Sequence, residues 1–600
     1  MHCRPLCCKY NNGKEAGSVM SQVKEANPGR YVIYPRIEVN CPDARVSQGF
    51  SAIAAALGQA MQGKKVLCVE CYPGVDQEEL LAGLESLHPD LVIHSDDLAF
   101  EPEKLDAALE ADLLPDDPVF GIMTVRRLKD FFYADKIEEA RRRIEAAQGT
   151  VLVYGVGACL VHPGDVQVVA DITRWEIQLR YRRGMTNWRT AQTDLPKLKK
   201  YKRGFFAEWR WADREKDHLL NTMDFYLDMT TEGEPAMVDG PSYREALRQT
   251  ARRPFRMVPY FDPGVWGGHW MKDHFELPEN GSNYAWSFDG VPEENSLLLD
   301  FGGALIQTPA LNLVLQQPRA LLGDGVHARF GKEFPIRFDM LDTVGGQNLS
   351  LQVHPLTEYI QNTFNMRYTQ DESYYILDAG EDASVWLGVK DNVDPAAMEA
   401  DLRRAQAGEA PFPAEKYINN IPVKKHDHVL IPAGTTHCSG ANTMVLEISA
   451  TPYIFTFKLW DWGRLDLDGK PRPIHIDHGM ANIQFDRNTR WVHENLVGQT
   501  RVLRQDENGL VERTGLHQRE FIDTIRYTTT GRMPVERNGS VHVMNLVDGA
   551  RARITSPDGA FAPFELHYAE TCILPQDAGA YAIESPDGDE VKVIVASVRT

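Results

Sequence analysis

The sequence predicts two kinds of structure in series: an α/β region in the first 245 residues and antiparallel β-structure in the rest. Short β-branched runs alternate with amphipathic helical stretches up to about residue 245, which is typical of a mostly parallel sheet covered by helices. From about residue 250, apolar and polar residues alternate in short runs between Gly, Pro, Asn and Asp, which favours barrels or sandwiches. At 600 residues the chain is also too long for a single hydrophobic core.

The α/β region is predicted to span residues 31–245, after an N-terminal tail at 1–30. The tail lacks the apolar segment of a secretory signal. The stretches between the predicted strands are predicted as helices because their apolar residues recur every three or four positions; QEELLAGLESL and ADKIEEARRRIEAA are examples. The predicted buried strands are YVIYPRIEV, KVLCVE, LVIHS and VLVYGVG.

The β-structure is predicted to form two domains, at residues 246–500 and 501–600, with a helical insertion at 394–408. The run HVLIPAGTTHCSG in the first domain has an echo, TCILPQDAGAYAI, in the second, where Ala580 takes the place of His437. Because the echo lacks the imidazole, we expect the second β domain to carry no metal ligands. The alternating runs of the first domain are SYYILDA, SVWLGV, HVLIPA, TMVLEIS and YIFTFKLW.

Composition excludes some classes of function. The formal charge of −21 argues against nucleic acid as a partner, because binding by counterion release needs a basic face. No apolar run is long enough to span a membrane. Nine scattered cysteines do not form a disulfide framework, so we expect a reducing, cytoplasmic environment. The oligomeric state stays open.

Four residues of the predicted barrel have the chemistry of a metal site. Gln352 and His354 are two residues apart, so on a strand both side chains leave the same face. Glu372 opens the apolar run ESYYIL, and His437 follows the Pro-Gly turn in IPAGTTH. Imidazole and carboxylate groups suit zinc or a similar divalent ion, and an amide oxygen can complete the set. The alternative for each residue alone is a hydrogen-bonded polar group in the core.

These segments resemble the class I mannose-6-phosphate isomerase family over roughly 250 residues. The similar segments, in chain order, are WGG at 266–268, FPIRFDMLDT with NLSLQVHP, ESYYIL, IPAGTTHCSG and LWDWGRLDLDGKPRPIH. The resemblance implies a cupin barrel that holds one zinc-type ion through Gln352, His354, Glu372 and His437. It also implies isomerisation of a phosphorylated hexose, mannose 6-phosphate to fructose 6-phosphate, with a small-molecule sugar phosphate as partner.

The sequence departs from the family at positions that would contact the substrate. The family usually has Lys where Asp339 and Gln370 stand, and Asp or Asn where Leu356 stands. The family's catalytic Arg matches Lys458 when one residue is inserted upstream. We expect Lys458 or Arg464 to contact the substrate oxygens or phosphate, and Glu447, in MVLEIS, to act as the base. The alternative for Glu447 is a barrel-lining carboxylate paired to a cation.

The first region resembles P-loop nucleoside kinases of the uridine kinase type, with VSQGFSAIAAALGQAM where a phosphate loop and its helix would lie. The GxxxxGK[ST] pattern is absent, and Gly49 has no Lys or Ser/Thr after it to contact phosphate and magnesium. We therefore expect a degenerate kinase-like scaffold that packs against the barrel. The basic and aromatic stretch at 174–211 favours a solvated helix face and domain contacts, with anion binding as the functional alternative.

The predicted fold class is thus an α/β P-loop-like domain followed by mostly-β cupin barrel domains with a helical insertion. Two other functions stay open beside the isomerase. Replacement of the family's lysines would suit a different sugar-processing cupin enzyme. A degenerate kinase next to a metal-held ligand would suit a metal-dependent sugar-binding or sensing protein.

Overall fold

A computed structural model describes residues 30–278, 283–450, 455–466, 469, 471–515 and 517–599. The predicted N-terminal tail, except its last residue, lies outside this range. Among the described residues, no helix has the length and apolar character needed to cross a membrane.

The first region is built on a seven-stranded sheet in the order β2-β8-β7-β6-β3-β5-β4. Strands β3 to β7 run parallel, whereas β8 and β2 are added antiparallel at one edge. Every residue of β3, β5 and β6 is buried, which explains their continuous apolar runs. The strands are β1 Arg36–Glu38, β2 Val46–Gln48, β3 Val66–Cys71, β4 Leu91–His94, β5 Val151–Gly155, β6 Val166–Asp171, β7 Phe225–Asp228 and β8 Ala236–Asp239.

Helices cover both faces of this sheet, as the alternating sequence predicts. The predicted helix ADKIEEARRRIEAA forms with bounds Ala134–Ala146, and Ala140 and Ile144 on it are buried. The α-helices of the region are Phe50–Ala60, Gln77–Gly83, Pro102–Leu113, Ala134–Ala146, Ala158–Val161, Arg174–Arg182, Lys197–Arg203, Trp209–Thr222 and Gly240–Thr250.

The structure does not support a phosphate loop at Gly49. A P-loop follows a parallel strand and opens a helix, but the strand before Gly49, β2, is a three-residue antiparallel edge strand. The central strand β3 has parallel neighbours on both sides, and the loop at 72–76 leads from it to the helix Gln77–Gly83. The Asp76 carboxylate accepts hydrogen bonds from two backbone N–H groups at the start of that helix, so an acidic side chain caps it.

Two other expectations about the first region are corrected. The run YVIYPRIEV contributes only β1, which forms a separate three-stranded sheet with two strands of the second region by pairing parallel with Ser296–Phe301, itself paired with Ala304–Pro309. The basic and aromatic stretch at 174–211 is not a solvated face throughout: Trp209 and Trp211 are fully buried, and the Lys200 ammonium donates to a backbone carbonyl in the interior. Its role in domain contacts is described below.

The second region forms a barrel from two facing sheets, in the orders β18-β15-β20-β13-β10-β9 and β17-β16-β19-β14-β21. The predicted helical insertion forms as Pro395–Gln406. The strands are β9 Tyr260–Asp262, β10 Trp286–Gly290, β11 Ser296–Phe301, β12 Ala304–Pro309, β13 Arg337–Asp342, β14 Leu351–Val353, β15 Glu372–Ala379, β16 Ser384–Val389, β17 Ile418–Pro422, β18 His428–Ile431, β19 His437–Ser439, β20 Thr443–Ser449 and β21 Phe457–Trp460.

Several shorter helices accompany the barrel. They are Trp270–Phe275, Leu311–Gln316, Pro318–Leu322, Asp324–Phe330, Thr357–Phe364, Ala414–Tyr417, Ile476–Asn482 and Thr489–Asn495.

The last hundred residues form a second pair of sheets, in the orders β22-β23-β24-β31-β26-β29 and β25-β30-β27-β28. The segment TCILPQDAGAYAI, which is similar in sequence to the segment around His437, contains β29, the turn after it and the start of β30. The strands are β22 Arg501–Asp506, β23 Gly509–Gly515, β24 Ile522–Thr529, β25 Arg532–Val535, β26 His542–Asp548, β27 Arg551–Thr555, β28 Phe564–His567, β29 Thr571–Leu574, β30 Tyr581–Glu584 and β31 Val591–Val598.

Candidate metal centre and its cavity

Three barrel strands bring the four predicted metal ligands together. Gln352 lies on β14 directly opposite His437 of β19 in the antiparallel register. His354 follows β14, and Glu372 is the first residue of β15 on the facing sheet. All four side chains are buried. The same-face spacing of Gln352 and His354 and the turn before His437 therefore lead to one point inside the barrel.

The side chains meet at hydrogen-bonding distance. His354 Nε2 lies 3.0 Å from Glu372 Oε2, and His437 Nε2 lies 2.7 Å from Glu372 Oε1. The Gln352 amide nitrogen is 3.2 Å from His437 Nε2, and a half-turn of the amide would present its oxygen at the same place. The two histidines and the glutamate form the one cluster of possible metal ligands found among the described residues.

The surroundings fix the form in which each ligand is presented. The Nδ1–H groups of His354 and His437 donate to the carbonyl oxygens of Phe455 and Thr435, at 2.8 and 2.9 Å. This leaves the lone pair of each Nε2 directed at the centre, as in many zinc sites. Burial would raise the pKa of Glu372, but the two imidazoles hold it well below its ordinary value, so the group is a carboxylate.

The donor set fits a divalent metal ion. His354 Nε2 and Glu372 Oε1 are buried and have no well-aligned hydrogen-bond partner in the described structure. Two imidazole nitrogens, a carboxylate oxygen and an amide oxygen are ligands that zinc and similar ions accept, with a position left for water or substrate. A cation there would satisfy the lone pairs that otherwise face each other.

The turn before His437 is held by contacts on both sides. The buried Arg487 guanidinium donates to the carbonyl oxygens of Pro432 and Ala433, each at 2.7 Å. The Gly434 N–H donates to the carbonyl oxygen of His354 at 2.9 Å, which links the turn to the other histidine ligand. Gly434 has a φ of 85°, a conformation that favours glycine. The IPAG sequence thus determines where the His437 strand begins.

A cavity of about 360 Å³ opens beside the centre, large enough for one small ligand. Gln352 and Gln370 connect the two, because both line the cavity and the Gln370 amide also donates to Glu372 Oε2 at 2.9 Å. The residue that replaces a family lysine at position 370 is therefore a hydrogen-bond donor to a metal ligand.

Two carboxyl groups face the cavity from neighbouring strands. Asp339 of β13 and Glu447 of β20 are direct register partners, and both line the cavity. Burial raises the pKa of Glu447 well above its usual range, and the charges on Asp339 and Glu372 add to the shift. Burial likewise raises the pKa of Asp339 to about 6, against the opposing effect of Arg337, whose Nε is 3.3 Å away. Such a pair can hold and transfer a proton.

Of the two cations predicted to contact the substrate, Lys458 and Arg464, the structure brings only Lys458 to the cavity. Lys458 lines the cavity opposite Gln352 in the strand register. Burial lowers its pKa to about 7, and the nearby Arg472 adds to the effect. Arg464 is not among the described residues that line the cavity; its guanidinium donates to Asp461 and to the Asn348 carbonyl, both at 2.6 Å.

The cavity-lining residues that sequence reasoning missed include Arg337, Arg472 and His475. All three lie within segments that carry the family resemblance, FPIRFDMLDT and GKPRPIH. A cation two residues before Asp339 was a usable signal, because residues i and i+2 of a strand share a face. Nothing in the sequence indicated that Arg472, rather than Arg464, would line the cavity.

Comparison with known proteins gives one family match and several relatives. Residues 49–252 match a family described as a domain of unknown function, DUF8485. Mannose-6-phosphate isomerase ManA of Bacillus subtilis is 26% identical over 232 residues, which cover 38% of this chain and 68% of that protein. The probable mannose-6-phosphate isomerase GmuF of the same organism is 23% identical over 333 residues, covering 55% and 96%. The chain is thus similar to mannose-6-phosphate isomerases over up to 55% of its length.

Solved structures of mannose-6-phosphate isomerases also match part of the chain. The enzyme from Bacillus subtilis matches with a TM-score of 0.47 and 17% identity, covering 57% of this chain and 99% of its own. A putative mannosephosphate isomerase from Archaeoglobus fulgidus matches with a TM-score of 0.44 and 14% identity, covering 58% and 98%.

Proposed function

We propose that the chain is a metal-dependent aldose–ketose isomerase that interconverts mannose 6-phosphate and fructose 6-phosphate. The observation that carries the proposal is the convergence of His354, Glu372 and His437 beside a cavity lined by Glu447 and Lys458. The names of the relatives, mannose-6-phosphate isomerases, support the same reaction.

Zinc, one ion per chain, is the proposed metal, held by Gln352, His354, Glu372 and His437. The two imidazole ligands support zinc over magnesium or calcium, which prefer oxygen ligands. When bound, such an ion supplies Lewis acidity that stabilises negative charge on the two sugar oxygens O1 and O2.

The side chains of the cavity are proposed to carry the proton transfers. Glu447 takes the proton from C2 of the open-chain aldose and returns it to C1, while the O2 hydroxyl proton is transferred to O1. Asp339, opposite it in the register, keeps a second carboxyl group in reach and raises the proton affinity of Glu447. Lys458, which lines the cavity, is proposed to bind the anionic part of the substrate, the role that the sequence suggested for Lys458 or Arg464.

Metal analysis tests the centre. We expect about one divalent ion per chain in the wild type and a large loss of metal in His354→Ala and His437→Ala, because loss of one of four ligands usually abolishes such a site. His428→Ala is the matched control, since His428 is buried on β18 but donates or accepts only with Thr514 in the described structure. Elemental analysis after loading with Zn²⁺ measures the occupancy. A wild type without stoichiometric metal under any loading condition would overturn the proposal.

A further inference from the structure

The N-terminal α/β region forms one wall of the barrel cavity. The helix Arg174–Arg182 contributes Trp175, Gln178 and Arg182 to the cavity lining, and the next helix contributes Lys197 and Tyr201. The opposite wall contains the barrel residues described above. The cavity is therefore shared by the two halves of the chain.

The position of this wall is fixed by direct contacts with the barrel. Arg182 makes a two-pronged ion pair with Asp262 of β9, with both N–O distances 2.7 Å. The Trp175 ring stacks on the Tyr260 ring with 4.1 Å between centroids. The Gln178 amide donates to Glu294 Oε2 at 2.7 Å, and the Tyr201 hydroxyl donates to the other oxygen of the same carboxylate. These contacts connect both helices to the barrel edge.

A second contact between the halves lies at the closing segment of the barrel. Phe120 of the α/β region stacks on Phe455 with 5.0 Å between ring centroids. Asp117, on the same loop, lies 3.6 Å from Nε2 of the cavity-lining His475. The His475 side chain is 8% exposed, and neither ring nitrogen has a well-aligned hydrogen-bond partner in the described structure. Because buried polar groups normally have hydrogen-bond partners, the His475 ring is available to a polar ligand in the cavity.

The ion pairs of the lining leave two cations for an anionic ligand. Three arginines of the lining have carboxylate partners: Arg182 with Asp262, Arg337 with Asp339 and Arg472 with Asp461. Lys458 and Lys197 line the same cavity, and neither has an ion-pair partner among the described residues. Lys458 is on the barrel wall, whereas Lys197 is exposed on the α/β wall.

We propose that Lys197, from the α/β region, binds the phosphate of the substrate and makes this region a part of the substrate site. The inference rests on the proposed function for the identity of the substrate. A phosphate dianion requires uncompensated positive charge, and Lys197 supplies it on the wall that faces the barrel. The lysines that the family has at positions 339 and 370 are absent, so the charge comes from a different part of the chain.

Steady-state kinetics of Lys197→Ala test this assignment. We expect KM for mannose 6-phosphate to rise about 5- to 20-fold with kcat within about twofold, because the contact binds substrate and transition state alike. Lys199→Ala is the matched control: Lys199 is on the same helix but is not among the described cavity-lining residues. Lys197→Arg should restore most of the loss. Equal KM values for Lys197→Ala, Lys199→Ala and the wild type would overturn the inference.

A binding experiment separates this inference from the proposed function. Calorimetric titration of the metal-loaded protein with inorganic phosphate does not depend on turnover. If the wild type fails to isomerise mannose 6-phosphate, the proposed function is wrong, but weaker phosphate binding by Lys197→Ala than by Lys199→Ala still supports the phosphate site. The absence of phosphate binding by the wild type, or identical binding by both variants, overturns it.

Discussion

At the scale of single residues, Glu447 is the group on which the proposed chemistry depends. We expect Glu447→Gln to lower kcat by about 10²- to 10⁴-fold, because the amide cannot take up the C2 proton. The substitution leaves the shape of the side chain nearly unchanged. The Gln370 amide, which donates to Glu447 Oε1 at 3.4 Å, can donate to the new amide oxygen instead. Metal content should therefore stay at the wild-type level.

Two comparisons make the Glu447 result specific. Glu358→Gln changes an exposed carboxylate on the helix Thr357–Phe364 and should leave kcat unchanged. Loss of metal from Glu447→Gln would assign the residue to the centre rather than to the proton transfer. Wild-type kcat in the variant would remove Glu447 from the mechanism.

The ionisation of Lys458 predicts how kcat/KM depends on pH. Burial lowers its pKa to about 7, so the ammonium is charged below that pH and loses its charge as the pH rises. We expect kcat/KM for mannose 6-phosphate to fall on the order of tenfold between about pH 6.5 and 8.5, since kcat/KM reports the free enzyme. Lys458→Arg keeps its charge across this range and should remove the decline. An unchanged decline in Lys458→Arg would assign the titration to another group.

At the residue level, the sequence predicts which side chains lie close together where the backbone spacing carries that information. The four proposed ligands come together because Gln352 and His354 share a strand face and because a Pro-Gly turn precedes His437. Arg464 could not be distinguished from Arg472 in this way. Arg464 donates to Asp461, three residues before it, and to the Asn348 carbonyl, and the second contact joins residues 116 positions apart.

At the scale of elements, the turn Pro432–Gly434 sets the position of the His437 strand. A Cβ at position 434 would lie 2.8 Å from Gln484 Cγ and 3.0 Å from the Asn482 carbonyl oxygen. Gly434→Ala should therefore lower the free energy of unfolding by about 2–4 kcal/mol, from an unfavourable φ and from overpacking. It should also weaken metal binding, because Gly434 is hydrogen-bonded to His354.

Gly408→Ala provides the matched control. Gly408 has a similar φ of 75°, but an added Cβ would meet no atom within 4 Å. We expect a loss of only about 1 kcal/mol from backbone strain and no change in metal content. Thermal unfolding and metal analysis of both variants measure the difference. Equal effects of the two substitutions would show that close packing at Gly434 does not position the centre.

Element types were predictable from the sequence, but several pairings were not. The buried runs KVLCVE and VLVYGVG form β3 and β5, and the insertion at 394–408 forms a helix. The pairing of β1 with β11 joins residues more than 250 positions apart, and periodicity contains no information about such contacts. The same limit explains the misplaced phosphate loop: a glycine before a helix was visible, but the edge position of β2 was not.

At the scale of the whole molecule, the α/β region and the barrel share one cavity. The sequence predicted packing between them but treated the first region as a scaffold. The basic and aromatic stretch at 174–211 shows why this was incomplete. Its Trp209 is buried in the core, while Trp175, Arg182 and Lys197 face the barrel cavity, and composition alone cannot separate these uses.

The most direct test of the account is turnover of mannose 6-phosphate by the whole chain. With Zn²⁺ bound, we expect fructose 6-phosphate to form at a rate of about 1–10³ s⁻¹, as for typical enzymes. Removal of the metal by a chelator should abolish the activity, and readdition of Zn²⁺ should restore it. A coupled assay for fructose 6-phosphate measures both. Failure of the metal-loaded wild type to convert mannose 6-phosphate, or full activity without metal, would contradict the account.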